Sequence, residues 1–491
     1  MQKLNKFTTQ LFTVVLPILI IVLPFFIIHP VLDNDIWFML NHGRYILNNG
    51  FTNIEPFTVH EGFVFSFEKW LSCIIFYLLY DNFGKTGVLL LVYTVGIICS
   101  LLIWKITNLL SEGNKVIGNI TALLVNILLN YYFITSRPQI FSYVCLILEF
   151  YLCELYARTN DRKYLKWLPL ISLLYMQLHS TMWPMFFIVL LPYMCEFKFV
   201  RKLSSVETNY ELKPIYIVAL ICFLVGFINP YGVWSVTYLF RSIGMTDIGI
   251  KELGHGTFIE LFKFELLLVP LHLLYFIVFF FLCGFKRKLL KFEIPVRYLY
   301  FLIGTLIMYV YATRNVSYHI IFAGVILAAM YREIEIKDNI SKIAVFFIII
   351  MEVIMISLSQ NYALVVLNSR QDAYDLIDEL SLRCESSETK IYTNFNIGAY
   401  AEWKGFRAYI DPRAEVFYDG INQKKDVLAE FRDFEDGKIS VDTLQNEYSF
   451  EYWVVSEKIA KEQLDKSDKY KLILKKGDYA VYEVVGKEEI R

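Results

Sequence analysis

The stretch Thr9–Ile28, TQLFTVVLPILIIVLPFFII, is a mostly apolar run without a single charged residue. A helix needs about 20 such residues to cross the ~30 Å hydrocarbon core of a bilayer, and this run has that length. Lys3 and Lys6 precede it, and basic residues favour the cytoplasmic side of a membrane. The run therefore predicts an uncleaved first span with a cytoplasmic N-terminus.

Apolar runs recur along most of the chain, which is 56% hydrophobic with a mean hydropathy of +0.46. This composition predicts a multi-pass membrane protein of mainly α fold with about eleven spans. The ten further segments are Thr86–Ile106, Val116–Ile134, Ile140–Tyr156, Tyr164–Leu178, Met182–Cys195, Pro214–Ile228, Leu261–Cys283, Val296–Ala312, Val316–Met330 and Ile343–Leu358.

The sidedness of these segments is self-consistent. If every segment crosses, the basic clusters in alternate gaps all fall on the cytoplasmic side, as the positive-inside rule requires. Two segments, Tyr164–Leu178 and Met182–Cys195, are short for full crossings. We expect them to form a hairpin whose apex, His179-Ser180-Thr181, is recessed below the outer surface and floors an outward-facing cavity.

The chain changes character after Leu358, where charged and alternating segments replace apolar ones. We predict a membrane domain over residues 1–360 and a small extracytoplasmic α/β domain over residues 361–491. The first outer loop, residues 30–70, carries a helical stripe predicted to lie on the outer leaflet as an amphipathic helix, and Phe65–Tyr80 is a second helical stretch. The stripe consists of Ile36, Trp37, Leu40, Ile46 and Leu47.

Global charge excludes one class of partner. With a formal net charge of −1, the chain lacks the excess of basic residues that nucleic-acid binding requires. Clusters of charge along the sequence therefore say more about function than the net charge does. The cysteines show neither a disulfide framework nor a CxxC metal site.

The outward ends of the predicted spans collect a set of polar side chains suited to group transfer. Asp33 and Asp35 follow the first span, and a carboxylate there accepts a proton from an attacking hydroxyl. Arg137, His179 and Arg314 occupy other outward ends, where cations hold a phosphate leaving group. Three residues complete the predicted substrate-binding set: Trp37, Asn229 and Tyr231.

Structural roles for the same residues are the alternatives. Asp33 and Asp35 suit the N-terminus of the following helix as caps. Arg137 and Arg314 at a membrane edge suit lipid headgroups, and His179 suits packing within a turn. Asn229-Pro230-Tyr231-Gly232 is typical of a helix stop with a turn, and this structural interpretation is favoured for it.

The pattern around the first span resembles bacterial polytopic proteins similar to GT-C class glycosyltransferases. The resemblance begins with Asp33-Asn34-Asp35-Ile36-Trp37 and continues through short motifs across most of the chain. Those motifs are Gly43-Arg44-Tyr45-Ile46-Leu47-Asn48-Asn49-Gly50, Glu55-Pro56-Phe57-Thr58, Arg137-Pro138-Gln139-Ile140-Phe141-Ser142, Leu178-His179-Ser180, Asn229-Pro230-Tyr231-Gly232, Arg314-Asn315, Tyr392-Thr393-Asn394-Phe395-Asn396-Ile397-Gly398-Ala399-Tyr400 and Ile410-Asp411-Pro412-Arg413-Ala414-Glu415. One departure is Phe67-Glu68-Lys69-Trp70-Leu71, where similar sequences carry His-Glu-Trp-Leu.

The resemblance implies a function as well as a fold. Enzymes of this class use a polyprenyl-phosphate sugar at the outer leaflet, and an acidic residue of the first loop serves as base or metal ligand. By analogy Asp33 and Asp35 take those roles, with a divalent metal as a possible cofactor, while Arg137, His179 and Arg314 bind the lipid phosphate. The expected partners are the lipid-linked donor, membrane lipid and a glycan, lipid or protein acceptor in the cell envelope, with inversion at the anomeric carbon.

The C-terminal domain has two interpretations. Side chains such as Asp411, Arg413, Tyr400, Trp403 and Tyr409 suit acceptor glycan through stacking and hydrogen bonds, or else the domain is a structural lid.

Rival functions remain open at this point. A transporter or flippase of a lipid-linked or anionic substrate would place charges along a pathway. Against it, the ionisable residues cluster at the ends of the spans, and we expect neither mid-span charges nor paired broken helices with inverted symmetry. Two further alternatives are a polysaccharide polymerase or ligase and a non-catalytic assembly or sensor protein.

Overall fold

The computed structural model describes residues 14–204, 206, 208–242, 294–333 and 370–485. Over these ranges the protein is mostly helical, with one small mixed sheet. The longer helices are Ile36–Asn49, Trp70–Leu110, Lys115–Tyr132, Gln139–Thr159, Leu168–His179, Pro184–Met194, Leu212–Val225, Val233–Arg241, Val296–Tyr311, Val316–Met330, 370–383, Val427–Glu435, Val441–Tyr448 and Lys458–Asp465. Shorter ones are Leu16–Val22, Pro24–Ile27, Lys198–Arg201, Gly398–Trp403 and Asp419–Asn422.

Helices coincide with eight of the predicted apolar segments between Thr86 and Met330 and with the described part of the first segment. Two predicted segments, Leu261–Cys283 and Ile343–Leu358, lie outside the described residues. By length and apolar composition, Trp70–Leu110 and Gln139–Thr159 suffice to cross a membrane, and the broken pair Leu165–Met182 with Pro184–Met194 makes a third.

A glycine interrupts the longest helix. Gly84, with φ 57° and ψ −151°, breaks Trp70–Leu110 because that backbone conformation lies outside the helical region and favours glycine. The second predicted helical stretch is thus helical from Trp70 onward, and it continues through the kink into the predicted segment Thr86–Ile106.

The predicted hairpin break is confirmed at its apex. His179 leaves the helical region with φ −159° and ψ 72°, and the helices on either side of the break differ in direction by 115°. The Trp183 indole N–H donates to the Ser172 hydroxyl at 2.9 Å, which fastens the second arm to the first. A side-chain hydrogen bond therefore stabilises the bend between the two helices.

Buried charge within the helices differs from the sequence expectation. Glu149 lies in the middle of Gln139–Thr159 and is fully buried, and Glu154 follows one turn later. Arg297 bonds Glu154 at 2.8 Å and Glu196 at 3.1 Å, with all three side chains buried. The expectation that mid-span charges are absent is therefore wrong. One or two charged residues lower the mean hydropathy of a long apolar run only slightly, so the run still has the hydropathy of a membrane span.

Contacts divide the chain into two compact units. The helical unit comprises Met1–His29, Leu90–Val236 and Gly249–Gln360. The sheet unit comprises Pro30–Leu89, Thr237–Ile248 and Asn361–Arg491, so the first outer loop belongs with the tail.

The sheet unit is built on five strands in the order β2-β1-β3-β5-β4. β1 pairs in parallel with β2 and β3, while β5 pairs antiparallel with β3 and β4. The strands are β1 (Lys390–Tyr392), β2 (Arg407–Ala408), β3 (Tyr452–Val455), β4 (Tyr470–Lys476) and β5 (Tyr479–Val484). The described tail thus has the mixed α/β character that its alternating segments predict.

The first loop extends this sheet. Thr58 forms a parallel bridge with Ala408 of the edge strand β2, and the Val59 N–H donates to the Ala408 carbonyl oxygen at 3.0 Å. An edge strand left open invites unwanted pairing, and the loop covers it. The first loop therefore contacts the edge of the sheet through an isolated bridge.

The predicted amphipathic helix forms, but its apolar stripe is mostly buried in protein. Ile36–Asn49 packs against Gly398–Trp403 of the tail, and Ile36, Leu40 and Ile46 are buried. Leu47 alone among the aliphatic stripe positions is well exposed. The expectation that this stripe faces the outer leaflet is accordingly corrected, since the tail supplies the partner surface.

Candidate functional site

The acidic turn of the first loop is held by side chains of the tail. Asn34 Nδ2 donates to the Asn396 carbonyl oxygen at 2.6 Å, and the Tyr374 hydroxyl donates to Asn34 Oδ1 at 2.8 Å. Asn34 is buried, whereas Asp33 and Asp35 on either side of it are half-buried. The middle residue of the turn is thus an anchor for the two carboxylates.

The two carboxylates are not simple helix caps. Asp35 occupies the N-cap position of Ile36–Asn49, but its side chain makes no capping hydrogen bond. Asp33 Oδ1 instead accepts from the Asp35 backbone N–H at 3.0 Å, which closes a local turn before the helix begins. This geometry orders the acidic turn rather than the first turn of the helix.

Trp37 lies in an aromatic cluster of the sheet unit. Its indole N–H donates to the Tyr374 hydroxyl at 3.1 Å, and its ring meets Tyr400 edge-on with centroids 4.8 Å apart. Tyr80 and Trp403 complete the cluster. Trp37 thereby links the acidic turn to the tail, which gives this predicted substrate residue a packing role.

A lysine stands beside Asp35. Lys69 Nζ lies 2.9 Å from Glu68 Oε1 and 3.8 Å from Glu415 Oε1, and Asp35 interacts with it electrostatically. Burial opposes the charged form of Lys69, but Glu68 and Glu415 outweigh it, so the pKa of Lys69 is raised above its usual value. The Lys69 ammonium therefore stays charged at neutral pH. Lys69 lies in the segment Phe67–Leu71, where this sequence departs from the bacterial proteins that it resembles.

The described residues contain no group of three or more His, Cys, Asp or Glu side chains arranged to hold a metal ion. The carboxylates of Asp33 and Asp35 are the donors that a divalent cation would bind at the acidic turn, and a metal role for them stays a prediction.

In the helical unit, His179 contacts the first turn of Gln139–Thr159. Its Nδ1 lies 2.7 Å from the Ser142 hydroxyl oxygen, and both residues are buried. Ser142 ends the motif Arg137–Ser142, so two of the motifs read from the sequence meet here. The contact fixes the orientation of the His179 ring.

Arg137 and Arg314 lie near the same helix end. Tyr143 and Tyr318 pack edge to face with ring centroids 6.1 Å apart. Arg137 acts electrostatically on Tyr143, and Arg314 acts on Tyr318. The two cations and His179 thus lie around the start of Gln139–Thr159, and their role as a substrate site stays a prediction.

The side chain of Asn229 forms hydrogen bonds within its own turn. Its Nδ2 donates to the Gly226 and Gly232 carbonyl oxygens at 2.8 and 3.1 Å, while its Oδ1 accepts from the Tyr231 N–H at 2.9 Å. The structural interpretation of Asn229-Pro230-Tyr231-Gly232 fits this geometry, and a substrate role for Asn229 and Tyr231 stays a prediction.

Arg413 is the centre of a buried network that the sequence did not predict. Its guanidinium bonds both oxygens of Asp411 and of Glu402, together with Glu55 Oε1 at 3.0 Å and His42 Nε2 at 3.1 Å. Burial raises the pKa of Glu402, which the nearby Arg413 opposes, and burial together with the charge of Arg413 lowers the pKa of His42. The two motifs Glu55–Thr58 and Ile410–Glu415 were visible, but nothing in the sequence pairs residues so far apart.

The same burial corrects one interpretation of the tail. Asp411, Arg413, Tyr400 and Tyr409 are all less than a tenth exposed, so they form the interior of the sheet unit. They hold the first loop against the tail and present no surface to an acceptor glycan.

No model of a known protein family and no curated protein sequence matches the chain. Solved structures do share its fold. An oligosaccharyltransferase from Archaeoglobus fulgidus, tethered with an acceptor peptide containing the NVT sequon, matches 95% of this chain and 73% of its own, with a TM-score of 0.60 and 12% identity. AglB from the same archaeon, in complex with an inhibitory peptide and a dolichol-phosphate, matches 91% of this chain and 69% of its own, with a TM-score of 0.57 and 11% identity.

ArnT from Cupriavidus metallidurans, bound to undecaprenyl phosphate, matches 96% of this chain and 97% of its own, with a TM-score of 0.57 and 10% identity. These proteins belong to the GT-C class, and the chain has their fold. The resemblance read from the short motifs is thereby confirmed at the level of the fold.

Proposed function

We propose that this chain is a membrane glycosyltransferase that moves a sugar from a polyprenyl-phosphate donor to an acceptor in the cell envelope. The observation that carries the proposal is the fold shared, over nearly the whole of both chains, with ArnT bound to undecaprenyl phosphate. The ordered acidic turn of the first loop supports it from the residues themselves.

The reaction divides between the two sets of residues. The acceptor hydroxyl attacks the anomeric carbon, its proton passes to the carboxylate of Asp33 or Asp35, and the bond from that carbon to the phosphate oxygen breaks. Arg137, His179 and Arg314 stabilise the charge that develops on the departing lipid phosphate. A single displacement of this kind inverts the configuration at the anomeric carbon.

The buried Asn34 serves this chemistry by limiting the movement of its neighbours. A catalytic carboxylate works best when its position is fixed before the substrate arrives, and displacement by about 1 Å costs as much as ~100-fold in rate. The hydrogen bonds of Asn34 to Asn396 and Tyr374 supply that fixation from the tail. The tail is therefore a support for the acidic turn.

The proposal includes a topology: about eleven spans, a cytoplasmic N-terminus and an extracytoplasmic tail. The support is the alternation of basic clusters together with the apolar helices that pass the length criterion. The acidic turn would then face the outer leaflet, where the lipid-linked donor is expected.

Chemical conversion of the donor separates a transferase from a flippase. Purified protein in proteoliposomes is supplied with a radiolabelled polyprenyl-phosphate sugar and a bacterial cell-envelope glycan fraction. The proposal predicts free polyprenyl phosphate in a one-to-one ratio with labelled glycan. Donor that crosses to the other leaflet chemically unchanged, with no labelled glycan, would instead establish a flippase.

A further inference from the structure

A polar cleft of about 270 Å³ lies in the sheet unit, and none of the site residues predicted from the sequence lines it. One wall is the first-loop helix Ile36–Asn49, and the other comes from the tail. Asn41, Arg44 and Tyr45 line the first wall, and Arg407 lines the second. The cleft therefore exists only because the first loop and the tail pack together.

Two carboxylates, Glu388 and Glu402, also line this cleft, but they are paired with Arg407 and Arg413, whereas Arg44 has no ion pair among the described residues. One of its terminal nitrogens donates to Asn41 Oδ1 at 2.6 Å and to the Trp403 carbonyl oxygen at 3.2 Å. Its guanidinium lies 4.3 Å from the centroid of the Trp403 ring, which fixes its plane. In the described part of the chain no carboxylate forms an ion pair with it, whereas Arg407 in the same cleft is paired with Glu388 at 3.2 Å. Arg44 is thus a rigid cation with donors to spare.

Asn41 adds a donor that lacks an acceptor. Only 2% of the residue is exposed, and its Nδ2 finds no hydrogen-bond partner among the described residues. Because arginine only donates, the amide oxygen must face Arg44 and the NH₂ group is what remains. A buried unsatisfied amide costs about 1–3 kcal/mol, and a ligand oxygen in the cleft would remove that cost.

The remaining walls suit a sugar ring. Tyr45 and Phe57 are half-buried and meet edge to face with centroids 5.4 Å apart, which offers an apolar surface beside the two donors. Sugars present such a pair of features, with C–H groups on one face and oxygens at the edges. The volume is close to the lower end of the ~300–1,000 Å³ typical of ligand pockets, which matches one sugar unit rather than a long chain.

We propose that this cleft binds an acidic sugar unit of the acceptor, with its carboxylate or phosphate on Arg44 and the Asn41 amide and its ring against Tyr45 and Phe57. The planar fork of Arg44 matches either anion. That the sugar belongs to the acceptor rests on the proposed glycosyl transfer, whereas binding of the sugar does not. The cleft thereby assigns the first loop a second task besides carrying the acidic turn.

Titration calorimetry on the purified full-length protein tests the assignment with four probes: glucuronate, glucose 6-phosphate, glucose and inorganic phosphate. The two acidic sugars should bind at least about tenfold more tightly than glucose, since a hydrogen bond to a charged group contributes more than a neutral one. Equal binding of glucose would overturn the role of Arg44. Binding of inorganic phosphate as tight as that of glucose 6-phosphate would overturn the role of the sugar ring.

Variants locate the binding in the cleft. Arg44→Gln should weaken glucuronate binding by about tenfold or more. Because Arg44 also packs on Trp403, a second variant, Asn48→Trp, fills the cleft from an exposed lining position without touching that packing. The matched control is Leu47→Trp, on the same helix and exposed but outside the cleft, and it should bind as the wild type does.

The two proposals fail in different ways. If Asn48→Trp and wild type bind glucuronate equally, the cleft assignment is wrong, and donor turnover by the wild type is unaffected by that result. If glucuronate binding is lost in Asn48→Trp while the wild type converts no lipid-linked donor, the cleft stands as a saccharide site and the proposed transfer does not.

Discussion

The side-chain amide of Asn34 donates a 2.6 Å hydrogen bond to the backbone carbonyl oxygen of Asn396, 362 positions later in the chain. Asn34 separates the two carboxylates proposed for catalysis, and Asn396 belongs to a motif of the tail. The tail therefore holds the acidic turn in place, and a defect in this contact should appear in catalysis before it appears in folding.

Asn34→Ala should lower kcat by about 10- to 100-fold, because loss of both amide contacts lets the two carboxylates move by the order of 1 Å. Folding should survive, since each hydrogen bond contributes only about 1 kcal/mol. The control is Asn82→Ala, which removes an exposed amide that donates to the Leu78 carbonyl oxygen of its own helix. Equal turnover by the two variants would show that the anchor is dispensable.

Arg297 should be among the residues most costly to remove. It bonds Glu154 and Glu196 inside the helical unit, so Arg297→Met removes the cation that bridges two buried carboxylates and should destabilise by about 3–5 kcal/mol. Arg162→Met breaks an exposed pair with Glu211 and should cost at most about 1 kcal/mol. Thermal unfolding in detergent compares the two, and similar midpoints would contradict the assigned importance of burial.

Glu149 and Glu154 lie on one helix and should respond in opposite directions to the same substitution. Glu149 is fully buried, and neither of its carboxyl oxygens finds a hydrogen-bond partner among the described residues, so Glu149→Met should stabilise by about 1–3 kcal/mol. Glu154→Met should destabilise, because it removes the carboxylate that accepts hydrogen bonds from Arg297, Tyr193 and Tyr298. The measurement is again the unfolding midpoint, and a loss of stability in both variants would point to a partner for Glu149.

His60 should make the protein less stable as the pH falls from about 6.5 to about 4. Burial lowers the pKa of His60 to about 4, and its Nε2 donates to the Tyr409 carbonyl oxygen at 2.7 Å. Between those pH values the unfolded chain binds a proton that the folded one does not, so folding stability drops by about 1.4 kcal/mol per pH unit, or about 3 kcal/mol in all.

His60→Gln keeps a donor for Tyr409 and removes this titration. Its unfolding midpoint should fall less steeply over the same pH range than that of the wild type. The lowered pKa of His42 leaves a residual slope in both proteins. Parallel curves for wild type and variant would mean that His60 takes up its proton without loss of stability.

The positions of the helices were predictable from the sequence. A backbone in lipid must satisfy its own hydrogen bonds, and an apolar run of sufficient length does so by forming a helix. The break at His179 was predictable for the same reason: each arm is too short to cross. The turn at Asn229 was likewise predictable, because Asn229-Pro230-Tyr231-Gly232 is typical of a turn.

Pairings between distant residues could not be read in this way. Arg413 and Glu55 belong to short motifs that periodicity does not connect, yet they are 3.0 Å apart in the folded chain. Arg44 was visible only as a polar residue off the apolar stripe, and its role depends on Trp403 of the tail. A charged residue inside an apolar run, as with Glu154, was the one available signal for the buried pairs of the helical unit.

The carboxylate assignment is tested by turnover of a polyprenyl-phosphate sugar in Asp33→Asn and Asp35→Asn, beside the wild type and the exposed-amide control Asn82→Ala of helix Trp70–Leu110. These substitutions keep the shape of the side chain and remove its capacity to accept a proton. The variant that lacks the base should lose at least about 100-fold in kcat, in line with the ~10²–10⁴-fold contribution of general base catalysis, and the comparison of the two variants identifies which aspartate is the base. Turnover at the wild-type rate in both variants would contradict the carboxylate assignment.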